Sequence, residues 1–156
     1  MPRGVRRFSL LSGVALCAIL GGPIAVAQAS DNTIKHTVNH YGPIITREEN
    51  ALEKDLPKYP GSRHRLVSDL GREVATLHAM KRKLKAESAS SAPGAKGKTD
   101  IVKGITLVIK AYGALRHDVQ VANGGPVPAS KVNPIKKTAT QGNKDVKAGL
   151  KLLAST

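Results

Sequence analysis

Three times between Arg63 and Thr156 the apolar residues recur at the period of an α-helix, and this repetition limits the fold more than any other feature. Val67, Leu70, Val74, Leu77, Lys81 and Leu84 are spaced 3-4-3-4-3, with Lys81 the exception. Ile101, Ile105, Val108, Tyr112, Leu115 and Val119 run 4-3-4-3-4 without one, and Ile135, Ala139, Gly142, Val146, Leu150 and Leu153 make a third stripe. Such stripes predict amphipathic helices that bury one face each. Ser62 is a suitable N-cap for the first, Thr99 or Asp100 for the second, and Asn123-Gly124-Gly125-Pro126 stops the second. Asn133-Pro134 opens the third with proline at the first helical position, where its missing N–H costs nothing.

Upstream, Thr46-Arg47-Glu48-Glu49 has the form of a capping box and predicts a short helix to Leu56, ended by Pro57. Residues 30–45 read as an irregular N-terminal segment closed by Gly42-Pro43, and residues 88–99, rich in Ser, Ala, Gly and Pro, as a linker inside a helical domain over 46–156. The expected fold is all-α: an antiparallel three-helix bundle with a short additional N-terminal helix, following a cleavable signal peptide. Gly71, Gly104, Gly142 and Gly149 lie on or beside the stripes. They imply close approach of helix backbones, or alternatively an inter-helix groove for a small ligand.

The signal peptide is expected over residues 1–29. Arg3, Arg6 and Arg7 precede an apolar stretch from Leu10 to Ala27, and Ala27-Gln28-Ala29 provides a small-x-small cleavage site. Gly21-Gly22-Pro23 interrupts the stretch, which argues against a membrane anchor. Leu16 before Cys17 does not suit a lipoprotein signal, and Phe8-Ser9-Leu10 after Arg6-Arg7 fits the twin-arginine pattern poorly. Cleavage after Ala29 would also remove Cys17, the only cysteine, so the exported chain would depend on aliphatic burial alone.

No catalytic constellation emerges. There is no Gly-x-Ser-x-Gly elbow, and Gly97-Lys98-Thr99 lacks the first glycine of a phosphate loop, because Ala92 stands there. An enzyme is therefore not expected, nor is a cofactor. His36 and His40 would share one face of a helix but would be about 13 Å apart on an extended segment. Thr37, Val38 and the following Gly-Pro favour the extended form, so no metal site is assigned. A metal or small-ligand carrier, using these histidines or the groove, is the alternative function.

Charge is the informative remainder. Loss of Arg3, Arg6 and Arg7 with the leader leaves 22 basic residues against 11 acidic ones. In an up-down-up arrangement Lys81, Arg82, Lys83, Lys85, Lys96 and Lys98 gather at one end, joined by Lys103, Lys144, Lys147 and Lys151 and opposed only by Glu87, Asp100 and Asp145. The acidic first helix lies towards the other end. Lysines near helix C-termini also stabilise the macrodipole by about 0.3–1 kcal/mol each. The leading expectation is a small secreted basic protein that binds an anionic cell-envelope polymer or an acidic protein partner. Specific nucleic-acid recognition is not expected, since the three tyrosines are dispersed and Tyr112 belongs to a stripe.

Overall fold

The computed structural model describes residues 29–156, and every regular element among them is helical: α1 (Ala29–Asp55), α2 (Arg63–Ala86), α3 (Ala92–Ala122) and α4 (Ala129–Ala154), with a single 3₁₀ turn at Leu56–Lys58. The leader expected over 1–29 lies outside the described residues except for Ala29. No described helix is long and apolar enough to cross a membrane.

Consecutive helices run antiparallel. Thr37 donates to Glu87 and Thr76 donates to Glu48, so α1 ascends as α2 descends. Arg63 reaches the carbonyls of Val119 and Gln120 at one end of the α2–α3 pair, and Lys98 reaches the Glu87 carbonyl at the other. Gly97 faces Gly149 and, two turns on, Gly104 faces Gly142, fixing the α3–α4 register.

Several expectations are corrected. The segment over 30–45 is not irregular: it is the first half of α1, so there are four long helices and not three with a short one. Ile34, Val38, Ile45 and Leu52 are buried at one helical stripe that passes straight through Gly42-Pro43. An interior proline costs about 3 kcal/mol, but burial of each large aliphatic side chain returns about 1.5–3 kcal/mol. The carbonyl that loses its partner to Pro43 belongs to Asn39, on the exposed face, where solvent can satisfy it. Thr46 therefore sits in mid-helix and not at a helix start.

The linker is much shorter than 88–99. Helix α3 starts at Ala92, capped by Ser91, whose Oγ accepts from the Gly94 amide at 2.9 Å. Asp31, fully buried, accepts from the Ser90 amide at 2.9 Å and from the Ser91 hydroxyl, joining the start of α1 to the start of α3. An anion there also faces the positive end of the α3 dipole. Helix α4 likewise starts at Ala129, before Asn133-Pro134, and carries Pro134 inside its second turn.

The α2 stripe is also rotated. Leu66, Leu70, Glu73, Leu77, Met80 and Leu84 are buried, whereas Val67 and Val74 are half-buried. The interruption that Lys81 makes in the sequence pattern disappears once Met80 takes the core position.

Candidate polyanion-binding surface

The six nominated cations lie in the last turns of α2 and the first turns of α3, and they are not equivalent. Arg82, Lys83 and Lys85 are exposed, and Lys81 is half-buried beside the core. None of these four has an acidic partner within ion-pair distance among the described residues. Lys83 and Lys85 lie in the last turn of α2, where their charge suits the helix dipole. Lys96 and Lys98 are engaged. The Lys96 ammonium is 2.8 Å from Asp100 one turn on, and Lys98 donates at 2.7 Å to the Glu87 carbonyl that ends α2. Lys98 is thus a helix-terminating residue as much as a surface charge.

Since Gly97 packs on Gly149, the same end also receives Lys147 and Lys151 from α4, both exposed. The acids facing this end have partners within the fold, although one Glu87 carboxyl oxygen is buried without a hydrogen bond. Asp31 is held by Ser90 and Ser91, chiefly by the Ser91 hydroxyl, which together keep its carboxyl below the usual carboxylate range. Glu87 accepts from Thr37, and Asp145 pairs with Lys103 at 3.1 Å. At the other end Asp55 pairs with Arg65 at 3.3 Å and Asp118 with Lys131 at 3.1 Å, so acids and bases there offset one another.

The alternative sites fare differently. The glycine-lined groove between α3 and α4 is closed by backbone: a methyl on Gly142 would lie 2.7 Å from the Gly104 carbonyl, and one on Gly149 2.5 Å from that of Gly97. No ligand fits between them. An apolar gap between Leu56, Tyr59, Leu115 and Val127 measures about 10 Å³, room for little beyond a water molecule. His36 and His40 do share one exposed face, because α1 is helical there, contrary to the extended form expected. Yet no group of three or more His, Cys, Asp or Glu side chains among the described residues is arranged to hold a metal ion. His78 of α2 is exposed as well.

A feature with no warning in the stripe pattern is a buried acidic seam between α1 and α2. Glu73 is fully buried, with both carboxyl oxygens lacking a hydrogen-bond partner. Burial, reinforced by the charges of Glu49 and Glu48, pushes its pKa up to about 9. At neutral pH Glu73 is a protonated core residue.

No protein-family model, curated protein or solved structure matches this chain. Function has to be argued from the side chains alone.

Proposed function

We propose that the chain is exported after removal of residues 1–29, that its helices form one antiparallel bundle, and that it acts by binding and not by catalysis. Its ligand is an anionic polymer of the cell envelope, with an acidic protein partner as the other form of the same chemistry. The observation that carries this reading is the set Lys81, Arg82, Lys83 and Lys85. These cations crowd one helix end with no acid in ion-pair contact among the described residues, while Asp31 and one oxygen of Glu87 are hydrogen-bonded within the fold. Like charges held within one or two turns repel, and a polyanion relieves that repulsion. Export is supported by the arginine-led apolar leader and its cleavage pattern. Asp31, two residues beyond the expected cut, is already buried.

The test is retention on immobilised heparin or purified cell wall. Wild-type protein is expected to bind at low salt and elute by about 0.5 M NaCl, where screening is nearly complete over contact distances. Reversing all four charges to Glu should abolish retention, and wild-type retention by that variant would overturn the reading.

A further inference from the structure

The cations of α3 and α4 are ordered in a way that the α2 cluster is not. Lys96, Lys103 and Lys110 recur every seven residues on α3, and Lys137, Lys144 and Lys151 every seven on α4; all six are exposed. The Gly97–Gly149 and Gly104–Gly142 contacts set the two helices in antiparallel register. That register places Lys96 level with Lys151, Lys103 with Lys144, and Lys110 with Lys137. Seven residues of helix rise about 10.5 Å, so the three rungs span about 21 Å. The Lys103 ammonium reaches across to Asp145 of α4, and Leu107, one turn on, lines an open groove of about 600 Å³ formed otherwise by α4, with Lys136, Lys137 and Lys144 as its cations. The acids paired with this ladder are Asp100 and Asp145.

We infer that this lysine ladder is an extended track for a flexible linear phosphodiester polymer, running along α3–α4 and away from the α2 cluster. The assignment rests on the polyanion-binding reading above and names its ligand class. Two observations select that class. All six rung residues are Lys and none is Arg. Lysine acts as a point charge that tolerates many approach directions, whereas arginine would impose the forked geometry suited to a fixed carboxylate or a single docked phosphate. A flexible polymer presents its phosphates in no fixed orientation. A membrane surface fits less well, because Val121 is the one large hydrophobic side chain strongly exposed among the described residues, and Leu107 on this face is half-buried. Asn133 and the second amide hydrogen of Gln141, whose first goes to Asp145 at 2.9 Å, add donors for the polyol or phosphate oxygens between charges, while Thr138 gives its hydroxyl hydrogen to the Pro134 carbonyl.

The experiment titrates purified protein with synthetic poly(glycerol phosphate) of graded length and measures affinity over a range of salt. Affinity should climb with length until the polymer spans about 21 Å and level off beyond it. The variant Lys110→Gln/Lys137→Gln/Lys144→Gln removes three exposed cations that hold no acidic partner. It should bind at least tenfold more weakly, with a log–log salt slope shallower by about two, as expected for three lost contacts to a single-stranded polyanion. A control of equal net charge, Arg47→Gln/Lys54→Gln/Lys58→Gln, should bind as wild type does. Equal losses in variant and control would show that net charge alone binds, and would overturn the ladder. Wild-type affinity in the ladder variant, with loss on substituting Lys81, Arg82, Lys83 and Lys85 by Gln, would overturn the ladder while leaving the α2 site standing. Full affinity in both variants would remove both readings. Binding to anionic lipid vesicles without binding to the free polymer would also overturn it.

Discussion

Glu73 is where a single side chain governs the behaviour of the fold most visibly. Folded, it keeps its proton up to about pH 9; unfolded, it releases it near the ordinary value of 4.5. Its contribution to stability is therefore complete below pH 4.5 and drains away as pH rises towards 9, because the unfolded chain gains from ionisation that the core refuses. Chemical denaturation should show wild type losing a few kcal/mol relative to Glu73→Gln between about pH 5 and pH 9, with the variant the more stable at pH 8. Parallel pH profiles for the two would contradict this. Asp31 has the opposite sense. Its carboxyl is held ionised by the Ser90 and Ser91 donors, so its contribution is present above the unfolded pKa and lost as pH falls through the lower folded one. Asp31→Ala should cost about 1–2 kcal/mol at pH 7, in the range of a lost helix cap, and urea melts measure it directly. Neither residue was visible as a core position in the sequence, because a reading by hydrophobicity assigns carboxylates to solvent.

At the scale of the element, glycine decides how α3 and α4 meet. Gly104 and Gly142 press on each other's backbone, so Gly104→Ala must push the helices apart and should destabilise by about 1–3 kcal/mol. Gly113 in the same helix has open space where a Cβ would go, and Gly113→Ala should stabilise by about 0.5–1 kcal/mol. Thermal melts of the two variants should shift in opposite directions, and a stabilising Gly104→Ala would refute the close-packed interface. The stripes of α3 and α4 were legible because Ile, Val and Leu mark them. The first two turns of α3 were not, since the stripe continues there as Gly94 and Gly97, which read as linker. The signal that could have found them was Ser91 followed two residues later by Pro93, an N-cap with proline in the first turn. Helix α1 was hidden by a stronger rule, that proline ends helices. Tertiary burial of Ile34 and Val38 before Pro43, and of Ile45 and Leu52 after it, outweighed that local cost.

Over the whole molecule, antiparallel connectivity turns a list of charges into a surface. The candidate cations at the end of α2 could be named from sequence because that grouping depends only on helix direction, which the short connections impose. Which of them are already committed could not be named. Lys98 closes the end of α2 and Lys96 pairs with Asp100, contacts that depend on α3 starting at Ala92. The lysine ladder was equally out of reach, since its rungs follow from the glycine register between α3 and α4.

The proposed ligand side is formed by the end of α2 with α3 and α4, and α1 is proposed to take no part in it. The most direct measurement is amide chemical-shift mapping of isotopically labelled protein during titration with poly(glycerol phosphate). Salt-sensitive shifts should concentrate at residues 81–85 and at the lysine rungs of α3 and α4, with the acidic stretch of α1 around Glu48, Glu49 and Glu53 unmoved. Shifts centred on α1, or none anywhere at low salt, would contradict it.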